Sequence, residues 1–272
     1  MWERRSTVGG VNVYTHGHHE SVLRSHLWRT AENSAPHLLP HLRAGQTLLD
    51  VGCGPGTITA DFAQTVGRVT ALDSSQAVLD QARQTIAHKG LDTVDFVAGD
   101  AHALTFADGT FDVVHAHQVL HHVSDPVRVL REMRRVCRPG GLVAARETDY
   151  AAMAWYPLVP ELDEWLALYQ KVARHNGGEP DAGRRVLSWA KQAGFTDVRA
   201  SSSTWCYADQ DRQWWSESWA QRMTDSAIGA QAQEYGYATR DDLARIAAGW
   251  HTWGAAEDAW FTVLHGEIIA RA

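Results

Sequence analysis

A doubly wound α/β fold with a mostly parallel sheet is what the sequence predicts, on three observations. Short apolar runs alternate with amphipathic helical stretches from residue 47 to 148, as strands buried on both faces by crossover helices require. The first two of these runs, TLLDV and RVTALD, contain or end in an aspartate. Directly after the first run, Gly52, Gly54 and Gly56 fall within five residues.

The elements follow in order. Up to about residue 44 the chain reads as loop and then helix, with apolar residues at helical spacing and breaks at Pro36 and Pro40. A strand is expected at 47–51, a helix at 57–66 closed by Gly67, and a strand at 68–73. The stretch SQAVLDQARQTIAHKG reads as a helix stopped by Gly90, followed by strands at 94–100 and 111–118. DPVRVLREMRRVCRPGG is a helix ended by Pro139 and two glycines, and 142–148 is a fifth strand. Right-handed crossovers then leave almost one topology.

After Tyr150 the composition turns to tryptophan, alanine and acids: ten of the twelve tryptophans lie beyond it. RRVLSWAKQAGFTDVRASSST reads as helix, stop at Gly194, then a sixth strand, and AWFTVLHGEIIARA as the seventh. Between them, about 207–257 is polar, aromatic and mostly helical, and is expected as a folded lid inserted over the sheet edge. The expected organisation is an N-terminal helical segment (1–45) covering the site, a ligand-binding core (46–149), and a completion of the sheet with its lid (150–272), all in one domain.

Composition narrows the function. A formal charge of -7 over 272 residues argues against a protein that grips nucleic acid backbones. Cys53, Cys137 and Cys206 are scattered, without metal spacing, and fit a reducing compartment. The opening residues lack a signal-peptide core and no apolar run would span a bilayer. A cytoplasmic protein with no membrane and no metal partner is therefore expected.

In an open parallel sheet, ligands sit beyond the carboxyl ends of the strands where strand order reverses. Glycines in the first strand-to-helix turn let backbone amides approach such a ligand. Nicotinamide and flavin folds usually carry G-x-G-x-x-G; here the third glycine comes one position early, behind Asp50. A tight turn alone would explain the glycines, but not the acids at the ends of the next two strands, Asp73 and Gly99-Asp100-Ala101.

The run D-V-G-C-G-P-G resembles the cofactor turn of class I S-adenosylmethionine (SAM)-dependent methyltransferases. That resemblance implies a Rossmann-like seven-stranded sheet whose last strand is antiparallel. It also implies SAM as cofactor, with S-adenosylhomocysteine as product. Asp50, Gly52, Gly54 and Gly56 would meet the methionine end, and Asp73 with Ser74 the ribose. Gly99, Asp100 and Ala101 would meet the adenine, and His117, Gln118 and Arg29 the methionine moiety beside the reactive methyl. HAHQVLHHVSDPVRVLREMRRVCRPGG is similar to the bacterial quinone-biosynthesis and natural-product branch. The N-terminal YTHGHHESVLRSHLWRTAENSAPHLLP is similar to actinobacterial small-molecule methyltransferases, some of which methylate carbon 3 of indoles.

The implied acceptor is a small aromatic molecule. HQVLHH stands where base N-methyltransferases often carry Asn/Asp-Pro-Pro-aromatic, and no basic tract suggests tRNA. Trp155, Trp205, Trp214, Trp215 and Trp219 offer flat faces to a planar ligand, although any one of them can equally fill a core. Removing the acceptor's proton would fall to histidine or tyrosine. His121 is the first candidate, as a base or as a group that orients the substrate, and Tyr14 the second, with His18 beside it; each can instead be a structural residue, His121 as a loop or helix-cap partner. Carbon methylation of an indole-like or quinol-like ring is favoured over O-methylation of a phenol on the resemblance. A nicotinamide-dependent oxidoreductase and a non-catalytic SAM-binding partner protein are the remaining alternatives, and a homodimer is one option for assembly.

Overall fold

The computed structural model describes Thr15 and residues 27–272. Its sheet has strands β1 (Thr47–Val51), β2 (Arg68–Asp73), β3 (Val94–Ala98), β4 (Phe111–His117), β5 (Cys137–Thr148), β6 (Ala154–Tyr156), β7 (Val198–Tyr207) and β8 (Trp260–Arg271). The order runs β3-β2-β1-β4-β5-β8, with β7 on the far side of β8. Strands β1 to β5 pair in parallel, and β8 runs antiparallel to β5, β6 and β7. From β1 the chain winds outward to β3, then returns to place β4 on the other side of β1. That reversal opens a crevice at the carboxyl ends of β1 and β4.

The helices are α1 (Ala31–Ser34), α2 (Thr57–Ala63), α3 (Gln76–His88), α4 (Pro126–Val136), α5 (Pro160–His175), α6 (Val186–Gln192), α7 (Asp211–Asp225), α8 (Ala227–Glu234) and α9 (Arg240–Ala255). One sheet face, with Leu49, Val51, Val114, Ala116 and Val143, packs on α4 and α6 through Leu130, Met133 and Ala190. The opposite face, with Leu48, Val69, Val113 and Ala144, packs on Phe62 of α2 and on Leu38 and Leu42. Both faces are apolar along the central strands because both are covered.

All seven expected strands form, and three features depart from the expectation. β6 is an eighth strand of three residues, which prolongs the sheet by pairing Ala154 with Thr262 and Tyr156 with Trp260. β5 begins at Cys137, because Cys137 pairs with Phe111 before a register shift brings Leu142 onto Val113. No helix is predicted at 160–175, yet α5 buries Leu162, Trp165, Tyr169 and Val172 at helical spacing.

Beyond the sheet, α5, α7 and α9 enclose a second core built on aromatic rings. Trp165 is fully buried and lies 4.5 Å from Trp219 and 4.9 Å from Trp250, ring centroid to centroid and edge-on in both cases. Edge-to-face contacts of this kind each add roughly 0.5–1.5 kcal/mol beyond the area buried. Three of the helices, α7 to α9, occupy the stretch between β7 and β8. No helix among the described residues is long and apolar enough to cross a membrane.

Candidate active site

A cavity of about 260 Å³ lies at the reversal point between β1 and β4. Its first half is the glycine turn. Gly52, Gly54 and Gly56 all have positive φ, at 68°, 56° and 80°. Their environments differ. A Cβ on Gly52 would stand 2.4 Å from Val119, and one on Gly56 would press on Ala82 of α3 at 3.0 Å. One on Gly54 would meet nothing within 4 Å, at the cavity wall. Gly56 is not among the wall residues and starts α2 against α3.

Carboxylates at strand ends complete this half. Asp73 accepts the Gly54 N–H at 3.2 Å and the Ser75 N–H at 3.0 Å, so the acid at the end of β2 pins the glycine turn. Ser75, not Ser74, caps α3 by accepting the Val78 N–H, and Ser74 is left in the wall. Gly99, Asp100 and Ala101 line the cavity beyond β3, where Asp100 Oδ1 is held by the N–H and ring of His102, at 2.9 and 2.8 Å. Asp50 reaches the cavity but is buried and engaged: His115 Nδ1 lies 2.8 Å from Oδ1, and the Thr59 hydroxyl donates to Oδ2 at 2.6 Å. His115 was not singled out in the sequence, and the D–x…H pairing across β1 and β4 appears only through strand register.

At the end of β4 the backbone turns through Gln118, whose φ of 54° is left-handed. For a residue with a Cβ this costs about 1 kcal/mol or more. The surroundings hold it there. The Gln118 N–H donates to the Arg146 carbonyl at 2.8 Å, and its Oε1 accepts from Arg29 at 2.7 Å. Its Nε2 lies 2.8 Å from His265 Nε2. The amide can only donate in that last contact, so His265 carries its proton on Nδ1. Gln118 thus fastens Arg29 to the sheet.

His121, expected as a base or substrate-orienting group, does not itself line the cavity. It is buried outside the cavity wall, with Nδ1 2.7 Å from Glu147 Oε2. Glu147, wholly buried on β5, also accepts the N–H groups of Val119, Leu120 and His121. Burial pushes the Glu147 carboxyl up to about 7, against the pull of those donors, and pushes His121 down to about 3. His122, whose ring centre is 3.7 Å from that of His121, is the histidine of this pair in the wall. The expected Tyr14 and His18 lie outside the described residues.

The second half of the cavity is aromatic. Tyr150, Trp205, Tyr207, Trp215 and Trp219 line it, with Met153 and Arg222. Trp155 and Trp214 do not: Trp155 stacks on Phe261 and Trp214 backs Tyr207. His117 also stands in the wall, with its imidazole held well below the usual range by burial and by Arg29 and Arg146. No group of metal ligands occurs among the described residues.

This architecture defines an α/β enzyme that holds a nucleotide-type cofactor at the strand reversal. The methyltransferase-domain family matches residues 49–145. Over 267 residues the chain is 34% identical to an uncharacterised methyltransferase of Schizosaccharomyces pombe, across 94% of this chain and 95% of that one. It is 28% identical to a probable methyltransferase, ltbC, of Aspergillus luteorubrus, across 97% and 99%. The chain belongs to the methyltransferase family. A demethylmenaquinone methyltransferase of Lactococcus lactis is 36% identical over 43% of this chain and 48% of its own length. A phosphoethanolamine N-methyltransferase of Haemonchus contortus, solved with SAM, shares the fold at a TM-score of 0.53 and 19% identity, over 87% of this chain and 51% of that one.

The protein is a SAM-dependent methyltransferase, and the first half of the cavity fits that cofactor. Gly54 leaves room at the turn, Asp73 and Asp100 stand at successive strand ends, and Arg29 and Gln118 close the side toward β4.

Proposed function

We propose that this methyltransferase acts on a small aromatic molecule, by carbon methylation of an indole-like or quinol-like ring in secondary metabolism. The observation that carries the reading is the continuity of the cavity: Asp73 and Asp100 wall one end, and Tyr207, Trp215 and Trp219 the other. Bound SAM supplies an electrophilic methyl on a sulfonium. The chain's part is to hold a planar acceptor in line with it, which aromatic walls do with little loss of side-chain freedom. The name of one relative, a demethylmenaquinone methyltransferase, agrees with a quinol-like acceptor.

In this reading Asp50, Gly52 and Gly54 meet the methionine end, and Asp73 and Ser74 the ribose. Gly99, Asp100 and Ala101 meet the adenine. His121, itself held by the Glu147 carboxylate, orients the acceptor through His122 against which it packs, and Tyr14 or His18 of the N-terminal segment joins the acceptor side. Residues 1–45 and the α7–α9 insertion act as covers over one domain.

Incubation with methyl-labelled SAM and a pool of indoles, tryptophan-derived cyclic dipeptides, quinols, phenols and bulk tRNA, resolved by mass, tests this. The expected result is label on a ring carbon of a small aromatic. Label on a phenol oxygen would make the enzyme an O-methyltransferase, and label confined to tRNA would overturn the substrate class.

A further inference from the structure

Two side chains of the cavity wall, His117 and Trp215, have buried ring nitrogens without a hydrogen-bond partner among the described residues, and neither belongs to the glycine cradle. Both ring nitrogens of His117 are buried without one, in a side chain 6% exposed. Tyr207 is 1% exposed and lines the cavity, with its phenol pushed up by burial against the pull of Arg29, Arg222 and Arg146. A folded chain rarely strands both nitrogens of a buried imidazole beside a void unless something in the void meets them.

Strand register puts His117 and Tyr207 on one face of the sheet. His117 of β4 pairs with Arg146, Arg146 with Glu267, and Glu267 with Ser201 of β7. Cross-strand partners share a face, and side chains alternate along a strand. Ser201, Ser203, Trp205 and Tyr207 therefore project to the same side as His117. Both groups are also held rigidly. The Tyr207 ring is stacked on Trp215 at 3.9 Å and 5°, and Trp28 and Trp214 lie 5.5 Å from it on other sides. His117 sits between Trp205, 5.6 Å away, and the stacked ring of His265 at 6.2 Å. The neutral imidazole offers one acceptor and one donor, and the phenol offers both in a single hydroxyl.

We propose that His117 and Tyr207 form the polar handle for the acceptor. The substrate of this site is then a planar aromatic molecule whose edge carries an O–H or N–H, to be met by the imidazole and the phenol. A bare hydrocarbon ring or a fully alkylated edge is selected against, because it would leave the His117 nitrogens stranded and give the Tyr207 hydroxyl nothing to bind. The proposal rests on reading the aromatic half of the cavity as the acceptor site. It moves His117 from the cofactor to the acceptor and brings in Tyr207, which no sequence motif marks.

Calorimetric titration of the protein saturated with S-adenosylhomocysteine tests it, with 2-naphthol, 2-methoxynaphthalene and naphthalene as probes. The unsubstituted protein is expected to bind 2-naphthol at least about tenfold tighter than the other two. Tyr207→Phe and His117→Asn should each bring 2-naphthol toward the affinity of 2-methoxynaphthalene while leaving naphthalene where it was. A general collapse of the site would instead weaken all three probes alike. Equal binding of the three probes, a preference that survives both variants, a uniform loss in both variants, or no binding of any probe overturns the proposal. S-adenosylhomocysteine affinity, measured first in the same cell, reports separately on the cofactor half.

Discussion

At Gly54 the demands of folding and of binding come apart. Its left-handed φ costs any L-residue roughly 1–2 kcal/mol, but an added Cβ touches nothing in the protein. Gly54→Ala is therefore expected to lower the melting temperature by only a few degrees while weakening SAM by at least about tenfold, as calorimetry of the folded variant would show. Glu147 is the reverse case, a residue that holds the site without lining the cavity. It collects three backbone N–H groups and the His121 ring on one buried carboxylate. Glu147→Gln puts an amide donor among those donors, and a loss of about 2 kcal/mol in unfolding free energy is expected from denaturant titration. An unchanged midpoint would mean that the 119–121 turn is held by other means.

At the scale of elements, the helices of the second core are set by caps as well as by rings. Thr239 starts α9 with a capping box: its hydroxyl accepts the Asp242 N–H, and Asp242 accepts the Thr239 N–H. Thr239→Ala should cost about 1 kcal/mol and speed amide exchange in the first turn of α9, with SAM affinity unchanged. Elements whose pattern is local were legible in the sequence: β1 to β4 by apolar runs, α3 and α4 by caps and stops. β6 was not, because three residues carry no period and pair only where the far end of β8 passes them. The site divides the same way. Asp73 and Asp100 were readable because each closes a strand that the sequence shows. The surroundings of His121 were not readable because its burial depends on Glu147, 26 residues further along the chain. His115 and Tyr207 gain their surroundings from partners on other strands.

The whole molecule carries a consequence in pH. His37 is pushed down to about 4 and His121 to about 3, while His117, His122 and His265 lie well below the ordinary value, each chiefly through burial. In the unfolded chain these groups bind protons near pH 6.5, whereas the folded protein refuses them. Between about 6.5 and the folded values the unfolded state therefore holds more protons, and stability falls as pH falls. Glu147, raised to about 7, works in the opposite direction as one group against several. The urea midpoint should drop on going from pH 7.5 to 5.5, by the equivalent of about 2 kcal/mol or more. A midpoint unchanged over that interval would mean that the histidines protonate in the folded state.

The sequence by itself determined the doubly wound sheet, the glycine turn and the acids that follow it, because each rests on local periodicity or on a backbone conformation that glycine permits. It also determined that an aromatic-rich segment must pack somewhere. Only the tertiary structure decided which tryptophans face the cavity and which fill the second core, since Trp205, Trp215 and Trp219 line the void while Trp165, Trp250 and Trp253 are fully enclosed. It alone brought His117 and Tyr207 to one sheet face, through a register that runs across β4, β5, β8 and β7. The physical reason is that burial and hydrogen-bond partnership belong to pairs of residues far apart in the chain, and no local pattern specifies those pairs.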